Sequence, residues 1–452
     1  MRRILPIACA AGFLIVTACS SGDDNAAAPA SGGYVVGDEP FAVKSGASVL
    51  AEGGSASDAV TAMYFTLSVT YPVAAGLGGG GICIVHDQAS GRSEVFDFLA
   101  RDTASPGPFA IPGNVAGFAA LQADYGRLPW QRDVSPGEQY AAIGFPISRA
   151  LADRLASTQD VIRLDAGLAA EFLDESGRVR PAGSIVSNAA LATTLSSIRM
   201  GGSNAFYRGE IAARISAYAS TQNSAITTAE LAGYEPHRDA PRLVALGNEI
   251  GYLPPERIGA GAFAGMLLSR LIDSQGNIVA GEHSASATAS ATKAALDQFG
   301  ISELPRDLGA TGFAAIDTSG QAVSCAVTLN GPFGSGHTAQ GTGVTLARSP
   351  SSGQTGMAAA FLTPALATDG RDGAVSLAGA GAGGPNGTAA IAYTLLKLAR
   401  GEDMTQPGSI RSTGIAPYDT VNIIACQGGY CATLPDPQAH GLGAAAGGVP
   451  GN

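Results

Sequence analysis

Apolar residues recur at helical spacing from Ala47 to Thr70, through SVLAEGGSASDAVTAMYFTLSVT, which predicts one helix with Gly53 and Gly54 as its weak point. The period then changes. A glycine loop, AAGLGGGG, leads into the continuous apolar run ICIVHD, a turn at Ala89 to Arg92, and a second strand, SEVFDFLA. From Gly117 to about Gly265 the pattern is mostly helical with loops. Gly312 to Leu329 reads as a hairpin made of GFAAID, the turn TSGQ and AVSCAVTL. Near the end, the strand AVSLA meets the loop GAGAGGPNG and then the helix TAAIAYTLLKLA. Strand pairs toward both ends of a helical middle predict an α+β fold, sheets covered by helices in one compact domain.

Composition narrows the function classes. Hydrophobic residues make up 46% of the 452 and charged residues only 14%, enough apolar material for a large core and the wrong balance for disorder. The 26 basic and 37 acidic side chains leave a formal charge of −11, which excludes a generic nucleic-acid binder because no basic stripe can neutralise phosphates. The 62 glycines follow no three-residue period, so they serve loops and close backbone approach rather than a collagen helix.

Residues 1–18 carry Arg2 and Arg3, the short apolar run ILPIACAAGFLIV and small residues, the layout of a signal peptide. The string VTAC resembles a bacterial lipobox, which implies lipidation of Cys19; an ordinary secretory signal cut nearby is the alternative. Residues 19–33 then form a flexible tether. Beyond them no apolar run reaches the length of a membrane span, so contact with the membrane is expected through the lipid anchor only. In a Gram-negative lipoprotein, Ser20 rather than Asp after the cysteine favours the outer membrane, and the expected location is the cell envelope, lipid-anchored at an outer membrane and facing the periplasm.

Cys426 and Cys431 flank QGGY and either close a small disulfide loop or stay free, whereas Cys83 and Cys325, in apolar strand-like runs, read as free buried thiols. The five histidines are scattered without metal-ligand spacing, and neither a metal nor another cofactor is expected. Two clusters satisfy G-x-G-x-x-G, Gly76, Gly78 and Gly81, and Gly379, Gly381 and Gly384. The first precedes a strand rather than a helix, and too little chain follows the second for a dinucleotide-binding sheet. The second is instead read as an anion or oxyanion site, where backbone N–H groups near a helix N-terminus face developing negative charge.

The ordered strings SVLAEGGSASDAVTAMYFTLSVTYPVAAGLGGGGICIVHD, FDFLARDTASP, AIPGNVAGFAALQADYGRLPW, FYRGEIAARI, AELAGYEP, LPPERIGAG, GFAAIDTSGQAVSCAVTLNGPFGSG and GAGAGG resemble the gamma-glutamyltranspeptidase family. The resemblance implies a four-layer αββα sandwich of the N-terminal-nucleophile hydrolase type, made as a precursor that cuts itself. It implies a large-subunit-like part over 34–310 and a small-subunit-like part over 311–452, the two self-cleaved fragments remaining associated. In such a protein a threonine hydroxyl attacks the preceding carbonyl, and the freed α-amine, with an ordinary pKa of about 7.7–8.0, then serves as its base.

Carried over by position, the resemblance implies Thr311 as nucleophile, assisted by the Thr328 hydroxyl. Gly383 and Gly384 would form the oxyanion hole, Arg101 would hold a substrate carboxylate, and Asn330 would contact the substrate's amino-acid head. The family pattern opens with two threonines seven and six residues before the aspartate. Counted back from Asp317 without gaps, Ala310 takes the nucleophile position and Thr311 that of the second threonine. Either the strand has lost one residue, or the chain is a non-cleaving relative. Acidic and hydroxyl groups that would grip a substrate ammonium are replaced by ARSPSSG (347–353) and by Ala360 and Phe361. The expected function is therefore an amide hydrolase or acyltransferase acting on γ-glutamyl amides such as glutathione, or on other small amides and peptides. A catalytically inactive envelope binding or scaffold lipoprotein is the alternative.

Overall fold

The computed structural model describes residues 32–105, 107–279, 284–405 and 418–446; the signal peptide and Cys19 lie outside them. In chain order the first strands are β1 (Tyr34–Gly37), β2 (Gly80–Asp87), β3 (Arg92–Phe98), β4 (Phe145–Pro146), β5 (Ile185–Val186), β6 (His237–Asp239), β7 (Arg242–Leu246) and β8 (Glu249–Leu253). They are followed by β9 (Ala310–Ile316), β10 (Gln321–Thr328), β11 (Thr338–Ala339), β12 (Val344–Thr345), β13 (Thr363–Asp369), β14 (Val375–Ala382), β15 (Thr420–Gln427), β16 (Tyr430–Leu434) and β17 (Leu442–Ala445). One antiparallel sheet runs β17-β1-β9-β10-β2-β3-β6 and the other β16-β15-β14-β13-β8-β7. Each mixes strands from before and after residue 310.

Burial divides into layers that match this topology. Val43, Met63, Phe65, Phe313 and Val327 belong to the core between the seven-stranded sheet and its helices. Val36, Ile84, Ala314, Leu366 and Ala378 lie between the sheets. Phe263, Leu267, Leu377 and Leu395 pack the six-stranded sheet against the helices Gly259–Leu268 and Pro385–Ala399. Helices, sheet, sheet and helices therefore stack in four layers. Because β2, β9, β10 and β14 are covered on both faces, they read as apolar runs without alternation.

The predicted helix over 47–70 is two. α1 (Pro40–Ala51) starts on Glu39, whose carboxylate accepts Ala42 N–H at 2.9 Å, and α2 (Ala56–Thr70) starts on a capping box between Ser55 and Asp58. All fifteen residues of α2 are buried, and its Thr61 and Thr66 hydroxyls are satisfied within the helix, Thr61 donating to the Ser57 carbonyl and Thr66 to that of Ala62. Asp317, at the turn of the β9–β10 hairpin, holds Ser319 and Gln321 N–H groups on one oxygen and Ala56 N–H on the other, tying the turn to the start of α2.

Two expectations are corrected. The 117–265 region is not only helices and loops: β7 and β8 form a hairpin whose second strand pairs with β13 and completes the six-stranded sheet. Cys83 and Cys325 are not free thiols but a disulfide, because the β2–β10 register places them directly opposite one another. Cys426 and Cys431 also pair, across the β15–β16 turn. Among the described residues no helix is long and apolar enough to cross a membrane.

Candidate active site

The functional candidates gather at one end of the sandwich. The same end of the seven-stranded sheet holds the last residue of β10, Thr328, the first of β9, Ala310, and the chain leaving β1 at Asp38. From the facing sheet come the end of β14, which runs into Gly383 and Gly384, and the start of β15 at Thr420.

The segment entering β9 is held tightly. Gly309 N–H donates to Asp307 at 2.8 Å, and the Gly309 carbonyl accepts from Thr328 Oγ at 2.8 Å and from Leu329 N–H at 3.2 Å. The β9–β10 register runs without a shift from Ile316–Ala322 to Ala310–Thr328. Ala310 therefore stands directly opposite Thr328. Alternation along β9 then decides direction. Ala310 belongs to the layer between the sheets together with Ala382, next to Gly383, and Gly312 is so close to Ala380 that an added Cβ would lie 2.7 Å from its methyl carbon. Thr311, one residue on, falls on the opposite face of the strand, the one that carries Phe313 and Ala315 into the helix-side core.

Thr311 is fully buried, and its hydroxyl donates to Asp38 Oδ2 at 2.6 Å. The other Asp38 oxygen accepts Asn422 Nδ2 at 2.7 Å, and the same amide donates to the Gly312 carbonyl at 2.9 Å. Burial pushes the Asp38 carboxyl up to about 6, against the pull of the bonds from Thr311 and Asn422. On the carbonyl side of the Ala310–Thr311 bond, Arg154 Nη1 reaches the Ala310 oxygen at 3.5 Å and the Tyr71 hydroxyl at 3.4 Å. Its other amine pairs with Asp307 at 2.5 Å, and its guanidinium lies over the Tyr71 and Tyr418 rings. The sequence reading missed Asp38, Arg154, Asp307 and Asn422; they come from four separate segments and carry no local motif.

Gly383 and Gly384 sit where β14 ends and the helix Pro385–Ala399 begins, and neither N–H has a hydrogen-bond partner among the described residues. Gly383 has φ of 91°, and a Cβ there would lie 2.0 Å from the Tyr418 carbonyl oxygen, so the turn requires glycine. Asp419 accepts Asn386 N–H at 3.1 Å beside this pair, and burial lifts its carboxyl to about 7. A cavity of about 410 Å³ adjoins the cluster, lined by Tyr71, Arg154, Tyr418, Asp419, Thr420 and His440. A larger one of about 580 Å³, near Asp165, Glu171 and His337, contains none of the candidate residues.

Arg101 and Asn330 are brought together by the small cluster Ala100, Ala110, Leu329 and Ala347. Arg101 stacks on Tyr234 at 4.6 Å with its Nη2 buried and unpartnered, and it forms no ion pair with Asp97 or Asp102. Asp97 pairs with Arg257, and Asp102 accepts from Ser349 and Ser351. Asn330 donates to the Arg348 carbonyl at 2.9 Å while its Oδ1 is buried without a partner. An orphaned donor and an orphaned acceptor fit a ligand with a carboxylate and an amine. At the position expected to supply a hydroxyl, Phe361 instead packs on Phe263. No group of three His, Cys, Asp or Glu among the described residues could hold a metal.

Burial also raises Glu39 to about 7 and Glu171 to about 8. The folded state holds the protons of Asp38, Glu39, Glu171 and Asp419 more tightly than the unfolded chain does. Their stabilisation is complete below the ordinary carboxylate range and is lost as pH rises through about 6 to 8. The thermal midpoint is expected to fall by several degrees between about pH 5 and about pH 8, measured by calorimetry; a rise over that interval would contradict these assignments.

Two helix-covered sheets, with a small-residue strand opening between a threonine hydroxyl and a glycine pair, define the N-terminal-nucleophile hydrolase fold. The gamma-glutamyltranspeptidase family model matches residues 42–298 and 262–400, and the chain belongs to that family. It is 29% identical over 265 residues to glutathione hydrolase 3 of Arabidopsis thaliana, covering 54% of this chain and 41% of that protein. It is 30% identical over 253 residues to the glutathione hydrolase proenzyme of Escherichia coli K12, covering 50% and 43%. The chain thus spans less than half the length of these curated relatives. In three dimensions it resembles a cephalosporin acylase from Bacillus halodurans, with a TM-score of 0.75 at 19% identity over 93% of this chain and 97% of that one. The gamma-glutamyltranspeptidase of Helicobacter pylori gives a TM-score of 0.51 at 23% identity, covering 57% and 81%.

Proposed function

We propose that this protein is an amide hydrolase or acyltransferase that cuts itself between Ala310 and Thr311 and then uses Thr311 as nucleophile. The observation that carries the reading is the buried Thr311 hydroxyl held on Asp38, whose other oxygen is tied by Asn422 to the Gly312 carbonyl, at the end of the sandwich that also holds Thr328, Gly383 and Gly384. Cleavage would release Ala310 from the gap between the sheets and leave the Thr311 amine beside its own hydroxyl. Once the freed N-terminus turns toward the gap that Ala310 leaves, a substrate amide would form an ester with Thr311, its oxyanion met by Gly383 and Gly384, before water or an amine takes the acyl group. The names of the curated relatives and the unpartnered atoms of Arg101 and Asn330 favour γ-glutamyl amides such as glutathione. The apolar replacement at Phe361 favours widening the class to other acylated amino acids. Lipidation at Cys19 would hold the protein in the envelope, at an outer membrane facing the periplasm.

A second reading has its own observation. Thr328 and the Leu329 N–H grip the Gly309 carbonyl, the one before Ala310, and Ala310 offers no nucleophile. A non-cleaving binding or scaffold protein would have this arrangement. Electrophoresis separates the two readings, because Cys83 and Cys325 lie on opposite sides of residue 310. A processing enzyme should run as one band without reductant and as two with it, the smaller fragment beginning at Thr311 by mass, and it should release glutamate from glutathione or a γ-glutamyl anilide. One band under both conditions with no amide hydrolysis would leave the binding protein.

A further inference from the structure

Resting on the self-processing reading, we infer that Asp38 is the general base and Arg154 the oxyanion-stabilising group for cleavage of the Ala310–Thr311 bond. The two side chains reach the two atoms that would react, one the hydroxyl and the other the carbonyl oxygen. Asp38 Oδ2 takes the Thr311 hydroxyl hydrogen bond at 2.6 Å, and Arg154 Nη1 stands 3.5 Å from the Ala310 oxygen. The second distance is long for a neutral carbonyl and suits a contact that tightens as charge develops.

The step balances. Asp38 removes the proton from Thr311 Oγ, a C–O bond forms to the Ala310 carbonyl carbon, and the oxyanion is met by the Arg154 guanidinium. Collapse breaks the C–N bond, and the proton held by Asp38 passes to the Thr311 nitrogen. Water then hydrolyses the ester, leaving a carboxylate on Ala310 and a free amine and hydroxyl on Thr311. Two positioning residues support the pair. Asn422 fixes Asp38 and the Gly312 carbonyl with one amide, and Asp307 clamps Arg154 together with Gly309 N–H. Before cleavage no free α-amine exists at residue 311, so an intact precursor needs another base. Asp38 is in hydrogen-bond contact with the nucleophile.

The charged and titratable groups around Asp38 are Glu39 next in the chain, Tyr71, Arg154 with Asp307, Asp419, and Asp436. Glu39 is turned away, onto Ala42 N–H and Thr70 Oγ1. Burial sets Asp38 to titrate at about 6, so the ionised base is lost below that value.

The test follows processing of freshly refolded full-length chain by reducing electrophoresis across a pH series, for the wild type and for Asp38→Asn, which keeps the shape of the carboxyl. The wild-type rate should climb with pH and level off above about 6, and Asp38→Asn should slow it by about a hundredfold or more and remove that inflection. The wild-type profile needs no variant to fold, and an unchanged thermal midpoint shows that the variant has folded. Processing of Asp38→Asn at the wild-type rate, or a flat wild-type profile, overturns the assignment while leaving the enzyme reading in place. A wild-type chain that stays whole at every pH overturns both.

Discussion

Thr311→Ala should leave the chain uncut and lower amide hydrolysis by at least about a thousandfold, because it removes the hydroxyl that Asp38 holds beside the Ala310 carbonyl. The fold should survive. The change deletes one buried hydrogen bond to a carboxyl group, a loss of about 1–3 kcal/mol, and Asp38 keeps its bond from Asn422. Thr311→Ser retains a hydroxyl and should continue to process. Intact-mass measurement on reduced protein reads both variants. Continued cleavage of Thr311→Ala in front of residue 311 would show that some other group attacks this carbonyl.

Ala310→Thr should do the reverse and create a new cut, one bond earlier. The seat is already built: Thr328 Oγ and Leu329 N–H hold the Gly309 carbonyl, and the side chain at 310 faces the gap beside Ala382 and the glycine pair. A hydroxyl there would stand where the family pattern places its nucleophile. Two added heavy atoms in a tightly packed gap cost about 1–3 kcal/mol, which a sandwich of this size can carry. The expected product is a downstream fragment one residue heavier than that from Thr311, with its N-terminus at residue 310. A wild type that stays whole while Ala310→Thr is processed would establish the binding-protein reading. If Ala310→Thr yields no cut at Gly309, the Thr328 seat is no longer competent, and cleavage of the same variant in front of Thr311 would leave Thr311 with Asp38 as the working centre.

Several candidate site residues are legible in the sequence, for reasons that are local. Gly383 and Gly384 stand out because a strand-to-helix turn with φ of 91° admits only glycine, and the turn residues of the 312–329 hairpin announce themselves in TSGQ. Arg101, Thr328 and Asn330 are marked by ordered motifs, and the fold places them at the same end of the sandwich. The β7–β8 hairpin escapes a sequence reading because its strands, RLVAL and EIGYL, are short and the second takes its outer partner, β13, from more than a hundred residues away.

The choice between Ala310 and Thr311 is of the same kind. In sequence the two are adjacent and only a count from Asp317 separates them. In the fold an unbroken register sets Ala310 against Thr328, and a period of two turns Thr311 to the other face. Asp38 reaches Thr311 across 273 residues, Arg154 reaches Ala310 across 156, and Cys83 meets Cys325 across 242. The sequence by itself determined the layered α+β class, the glycine turns and the family's order of motifs, because helix period, strand burial and turn chemistry are written in neighbouring residues. The tertiary structure alone decided which hydroxyl meets a carboxyl group, which carbonyl faces an arginine and which cysteines join, because strand register and sheet packing set those contacts between segments that share no local pattern.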